Sequence, residues 1–136
     1  ALADHLAKAV DDVGSRGRVL HVAHSGGALL TYLAAKHHLT RRQMAQIDVV
    51  TFGGARSITR KYFTGRAVNY YARNDPLVMV DRRAAVMMKA TSNTEYQEMN
   101  AKHNTTFIFL EGRAKHSLLD HSLEGPTYQH ALRREA

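Results

Sequence analysis

The sequence predicts an α/β fold in three layers, with a mostly parallel sheet between helices. Two apolar segments, 19–23 and 47–52, are short, partly β-branched and bounded by turn-forming residues, as buried strands are. A helical stretch separates them, and such a crossover joins parallel strands that are covered on both faces. Apolar segments at 67–72 and 105–110 complete a predicted sheet of about four strands.

The first half of the chain has clear helix signals. Residues 1–13 carry apolar side chains at helical spacing, and Gly14 ends the predicted helix. Residues 26–38, after the first strand, have a broad apolar face and no proline, which predicts a second helix. Thr40 is a suitable N-cap for a short third helix at 41–46, before the second strand.

The second half has weaker signals. We expect a short helix or an irregular link at 57–64, and either a strand or a short helix within 81–97. The polar stretch 91–104 predicts a loop with a helical turn. A last helix is predicted at 127–134, with Pro126 at its entrance.

Composition narrows the kinds of function. The 136 residues suit a single domain, 1–136, of which 44% are hydrophobic and 23% charged, as in ordinary globular proteins. With no cysteine, disulfides and thiolate chemistry are excluded. The nine histidines lack a compact metal-ligand spacing, so we expect neither a metal nor another cofactor.

The chain is basic, with a formal charge of +7, but its cations are dispersed. No run of lysine or arginine exceeds two residues, and aromatic residues do not alternate with them, so a solvated basic surface is favoured over nucleic-acid binding. No apolar stretch approaches the roughly 20 residues of a transmembrane helix. A soluble protein is expected, and a cytoplasmic and a secreted location both remain open.

The segment Ala23-His24-Ser25-Gly26-Gly27 lies between the first strand and the second helix. Its spacing fits the G-x-S-x-G nucleophile elbow, with alanine at the first position. Small residues two positions before and after the serine would let strand and helix close around a strained turn. The Gly26 N–H would face a developing negative charge at the helix N-terminus. Anion binding and a plain capping turn are the alternatives.

Three side chains suited to acyl transfer follow apolar strands in a telling order. Ser25 follows the first strand, Asp75 the third, and His116 or His121 the fourth. Chemistry in parallel α/β sheets collects at the carboxyl ends of the strands, and serine, acid, histidine is the α/β-hydrolase order. We favour His121 as the base; Asp81 is the alternative acid.

Several residues near these candidates also have purely structural interpretations. Asn74-Asp75-Pro76 alone could be a simple turn. His24, beside the serine, suits a packing or pocket role better than that of the base. His21 suits a hydrogen-bonded histidine of the core or the sheet. Arg56 could pair with the acid loop or be solvated.

Three motifs make the chain resemble the C-terminal part of a serine α/β-hydrolase, near the class 3 lipases, over roughly 18–136. The resemblance implies a partial α/β-hydrolase-like domain without its N-terminal strands, and hydrolysis of a carboxylic ester or lipid by Ser25, His121 and Asp75. Ala23 and Ala55 depart from the usual glycine and proline. The motifs are Val22-Ala23-His24-Ser25-Gly26-Gly27-Ala28, Thr51-Phe52-Gly53-Gly54-Ala55-Arg56 and Asn74-Asp75-Pro76-Leu77-Val78.

The resemblance also implies incompleteness. The absent strands would carry the loop that supplies the second oxyanion donor, and loss of one donor costs about 100 to 1,000-fold in turnover. A non-catalytic binding or assembly module is therefore the main alternative to an enzyme. The first strand would have an exposed edge, so we expect pairing with a missing N-terminal segment or a second copy.

Overall fold

A five-stranded sheet lies at the centre of the computed structural model, which describes residues 1–89, 96–101, 105–112 and 120–135. The strands are β1 (Val19–His24), β2 (Ile47–Phe52), β3 (Ala67–Ala72), β4 (Tyr96–Ala101) and β5 (Thr105–Leu110). The helices are α1 (Leu2–Val13), α2 (Gly26–His37), α3 (Arg41–Ala45), α4 (Arg82–Lys89) and α5 (Pro126–Glu135), with a 3-10 helix at Pro76–Val80.

The sheet order is β1-β2-β3-β5-β4, and the first four of these strands run parallel. The α/β class and the parallel arrangement expected from the sequence are therefore present. β4 is an additional edge strand, antiparallel to β5. The expectation of a loop across 91–104 was wrong at this strand, because a polar edge strand need not show the apolar run of a buried one.

Alternating side chains of the central strands fill cores on opposite faces of the sheet. Val49 belongs to a cluster with α1, α2 and α3, whereas its neighbour Val50 packs toward Tyr128 of α5. A third cluster lies beneath α4, which occupies the part of 81–97 where a strand or a helix was expected. None of the described helices combines the length and the apolar character that a membrane-spanning helix needs.

β1 forms the open edge of the sheet. The N–H groups of Val19 and Ser25 bond to the neighbouring β2 side. Because parallel ladders alternate, the N–H and C=O groups of Leu20, Val22 and His24 point away from β2. The side chains of Leu20 and Val22 are 51% and 38% exposed, which is unusual for a strand of a parallel sheet.

Asn69 on β3 ties the segment after β2 to the sheet. Its buried side-chain oxygen accepts hydrogen bonds from the Thr51 hydroxyl at 3.0 Å and the Ile58 N–H at 2.8 Å. Its amide nitrogen donates to the carbonyl oxygens of Ile58 at 2.9 Å and Thr106 at 3.1 Å. The 57–64 segment has no regular secondary structure, and these bonds attach it to the sheet at Ile58.

Replacing Asn69 with alanine should lower the free energy of unfolding by about 2–4 kcal/mol, since buried partners on Thr51 and Ile58 lose their bonds. Urea denaturation measures the change. Asn74→Ala, on an exposed asparagine, is the matched control and should cost much less. Equal losses in the two variants would contradict the structural role of Asn69.

Candidate active site

Ser25 lies on a sharp turn between β1 and α2. Its φ of 52° is the only positive value at a non-glycine residue in the part of the chain that is described. Such a conformation costs of order 1–3 kcal/mol and persists where its surroundings fix it. Here the Ser25 N–H donates to Phe52 O at 3.1 Å, and Ser25 O accepts from the Ala55 N–H at 3.0 Å.

The close packing that the turn needs lies partly outside the five-residue motif. A Cβ on Gly27 would contact the Cβ of Ala23 at 3.9 Å, an ordinary van der Waals distance. A Cβ on Gly54, in contrast, would lie 2.8 Å from the Cβ of Ala28. The close approach of α2 to the sheet therefore requires glycine at position 54, whereas it was expected to require small residues at positions 23 and 27.

Three predicted site residues are brought together by the fold. His121 Nε2 lies 3.0 Å from Ser25 Oγ, and His121 Nδ1 lies 2.7 Å from Asp75 Oδ2. The carboxylate of Asp75 is buried, while the imidazole is largely covered. The three residues thus form one continuous hydrogen-bonded chain.

The direction of each hydrogen bond among Ser25, His121 and Asp75 follows from which groups can donate and which can only accept. A carboxylate can only accept, so the proton of a neutral His121 lies on Nδ1 and Nε2 is left to accept the Ser25 hydroxyl proton. This arrangement can activate a serine as a nucleophile, with the histidine as general base and the aspartate holding its tautomer. Gly26, the first residue of α2, contributes one of the N–H groups at the helix N-terminus and directly follows Ser25 in the chain.

Asp75 has two further donors besides His121. Oδ1 accepts from the Leu77 N–H at 2.8 Å, the bond that starts the 3-10 helix, and Oδ2 accepts from the Tyr128 hydroxyl at 2.9 Å. The simple turn considered for 74–76 therefore exists and at the same time positions the carboxylate. Three donors stabilise a charge that would otherwise be costly to bury.

Tyr128 was not identified from the sequence. Its hydroxyl accepts from the Ala72 N–H at 3.0 Å and donates to Asp75, so it links α5 to the end of β3. Burial, with the nearby Asp75 charge, raises the pKa of Tyr128 well above its ordinary value and keeps the phenol protonated. The only local signal is the position of Tyr128, two residues after Pro126 at the start of the last helix, and this position does not indicate a contact with Asp75.

His24 was expected to pack and not to act as the base, and its contacts agree with that. Its Nε2–H donates to the backbone oxygen of His121 at 2.7 Å, and the two rings lie 4.9 Å apart. The residue before the serine thereby holds the backbone of the histidine. No local signal in the sequence indicates this contact.

Gly53 lies at the point where the site is most crowded. A Cβ there would lie 2.8 Å from Asp75 Oδ2 and 3.0 Å from both His121 Nδ1 and the Tyr128 hydroxyl. Its φ of 54° also favours glycine. The glycine that follows β2 thus leaves room for the hydrogen bonds around Asp75.

The remaining predicted residues lie elsewhere or have other partners. The buried Asp81, the alternative acid, accepts hydrogen bonds from the backbone N–H groups of Ser57 and Ala84, the latter near the start of α4. The guanidinium of Arg56 lies 4.3 Å from the centre of the Tyr32 ring, so its described contact is with an aromatic ring and not with the acid loop. His116 lies outside the described residues.

His21 lies half-buried on β1 with a hydrogen-bond partner, in line with the expected structural role in the core or sheet. Its Nε2 lies 2.8 Å from the Thr31 hydroxyl, and burial lowers the pKa of its imidazole. No group of three or more histidines and carboxylates suited to a metal occurs among the residues that the structure describes. Comparisons with known proteins matched no family model, no curated protein and no solved structure.

Alanine at the two glycines near the serine should change stability in opposite directions. Gly53→Ala should lower the free energy of unfolding by about 2 kcal/mol or more, because of its positive φ and the crowding at Asp75. Gly27→Ala should raise it by up to about 1 kcal/mol, because alanine suits a helix and the space is open. Urea denaturation of both variants checks this; a stabilised Gly53→Ala would refute the packing described.

The high pKa of Tyr128 predicts a pH dependence of stability. Above pH about 10 the unfolded chain loses the phenol proton and the folded chain keeps it, so this residue's contribution is complete below that pH and falls as the pH rises. Tyr128→Phe should flatten the slope of unfolding free energy against pH there by about 1.4 kcal/mol per unit. Denaturant titrations on both sides of pH 10 measure it, and an unchanged slope would contradict the burial argument.

Proposed function

We propose that the chain is a serine hydrolase that cleaves a carboxylic ester without a cofactor. The observation that carries the proposal is the continuous hydrogen-bonded chain from Ser25 Oγ through His121 to the buried Asp75. The strained turn at Ser25 is a second, independent support, because backbone strain of this kind clusters at functional sites.

The proposed reaction has two halves. Ser25 Oγ attacks the ester carbonyl as His121 Nε2 takes its proton, and collapse of the tetrahedral intermediate expels the alcohol, which receives that proton. Water then attacks the acyl-enzyme with His121 again as base, releasing the carboxylic acid and restoring the Ser25 hydroxyl. The Gly26 N–H stabilises the oxyanion in each half.

We further propose an α/β-hydrolase-like core that resembles the class 3 lipases. The strand-turn-helix around Ser25, the parallel sheet and the chain order of the three site residues support this. The substrate class is then an acyl ester of a small molecule or a lipid.

The open edge of β1 supports a proposal about completion of the sheet. Main-chain groups of Leu20, Val22 and His24 face away from β2 and pair with no other strand of the described part of the chain. The side chains of Leu20 and Val22 are apolar and exposed. A further strand, from another segment of a longer protein or from a second copy, would pair with this edge. This feature also favours the alternative, a hydrolase-like binding or assembly module.

Labelling with a fluorophosphonate probe tests the catalytic proposal. The chain should be labelled at Ser25, and Ser25→Ala should abolish the label. His121→Ala should slow labelling at least about 100-fold, because general-base assistance is worth 10²–10⁴.

His116→Ala is the matched control among the histidines and should label at the normal rate. If labelling is slow in His116→Ala and proceeds at the normal rate in His121→Ala, His116 is the base. If the folded chain resists the probe altogether, the non-catalytic module becomes the better account.

If a further strand pairs with β1, the chain should self-associate as its concentration rises or should co-purify with a partner. Leu20→Lys should disfavour strand addition, since an inward or edge lysine blocks pairing. Sedimentation velocity of this chain against Leu20→Lys measures the difference. A strictly monomeric, non-aggregating parent chain would count against completion by a second copy.

A further inference from the structure

A groove outside the hydrogen-bonded site lies between α4 and the loop that follows β2. Its volume is about 620 Å³, within the range of small-molecule sites. Ala55 forms part of its wall, and the Ala55 N–H is the donor that holds the Ser25 carbonyl oxygen. One backbone hydrogen bond therefore joins the groove wall to the serine turn, while Ser25 itself does not line the groove.

One part of the groove is cationic. Arg56, Arg82 and Arg83 line it, and none of the ion pairs within the described ranges involves these arginines. Asp81 is the only acid among the lining residues, and both its oxygens accept backbone hydrogen bonds. Three cations and one carboxylate leave a net charge of +2, which is well matched to a phosphate monoester with about −1.5 to −2 at pH 7.

The position of two of these arginines strengthens the argument. Arg82 and Arg83 are the first two residues of α4, where the helix dipole disfavours cations and favours an anion. A smaller adjoining cavity of about 100 Å³ shares Arg56 and Arg83 and adds Lys61. Guanidinium groups bind the oxygens of both carboxylates and phosphates in pairs, and the net charge of +2 favours a doubly charged phosphate over a singly charged carboxylate.

The other part of the groove is apolar and open to solvent. Val80 and Val86 line it with 62% and 60% of their surface exposed, and Met87 lies beside them. Contiguous exposed apolar side chains next to cations are typical of surfaces that bind an amphiphile.

We propose that this groove binds a single-chain lipid phosphate. Its phosphate lies against Arg56, Arg82 and Arg83, and its acyl chain lies along Val80, Val86 and Met87. That the bound lipid is also the ester substrate of Ser25 rests on the proposed function, whereas binding itself does not.

Calorimetric titration of the Ser25→Ala chain tests binding without turnover. The ligands are lauroyl glycerol phosphate below its critical micelle concentration, neutral lauroyl glycerol and glycerol phosphate. We expect the first to bind at least about tenfold more tightly than either other ligand, since each of those lacks one of the two parts that the groove contacts.

Two pairs of arginines at helix starts provide matched variants. Arg82→Gln with Arg83→Gln should weaken binding about 100-fold, or about tenfold per charge-assisted bond. Arg41→Gln with Arg42→Gln removes the same charge from the first two residues of α3 and should leave affinity unchanged. If the first pair fails to fold, Arg56→Gln is expected to give about a tenfold loss from the loop side.

Three results would overturn the proposal. The first is an equal loss of affinity in the two arginine-pair variants. The second is equal affinity for glycerol phosphate and for the lipid phosphate. The third is binding to anionic vesicles with no binding of the lipid monomer, which would indicate a membrane-docking surface. A labelled Ser25 with no lipid binding would refute the groove and leave the hydrolase proposal standing. Lipid binding with no labelling of Ser25 would refute the hydrolase proposal and leave the groove proposal standing.

Discussion

The carboxylate of Asp75 is the group on which the arrangement of the site depends most. A buried charge is tolerated only with several donors, and here they come from the Leu77 backbone, the Tyr128 hydroxyl and the imidazole of His121. Through them the end of β3, the 3-10 helix, α5 and the segment before α5 converge on one point. The same bonds that satisfy the charge therefore orient His121 toward Ser25.

The serine turn and the acid are joined through the end of β2. Phe52 O and the Ala55 N–H hold the backbone of Ser25, and between them Gly53 makes room for Asp75 and Gly54 makes room for α2. Four consecutive residues thus fix a strained conformation and leave space for the hydrogen bonds beside it. The groove with Arg56 continues from this same loop, so it is connected to the serine turn through Ala55.

Local sequence was sufficient for the strands β1, β2, β3 and β5 and for the serine turn, because apolar runs and glycine spacing are local properties. It also placed Ser25, Asp75 and His121 at the same sheet edge, since parallel strands end together. The sequence did not indicate β4, a polar strand that depends on pairing with β5. Nor did it indicate the contacts of His24, Tyr128 and Gly53. Those contacts join residues far apart in the chain, and no periodicity within either segment reveals them.

The proposed mechanism depends on His121 being held by Asp75 with its proton on Nδ1, so that Nε2 can accept the hydroxyl proton of Ser25. Proton NMR in water observes that hydrogen directly, because an imidazole proton in a short bond to a buried carboxylate is strongly deshielded and slow to exchange. We expect one such signal in the parent chain, retained in Ser25→Ala and absent from both Asp75→Asn and His121→Gln. A folded parent chain without the signal, or a signal that survives His121→Gln, would contradict the account.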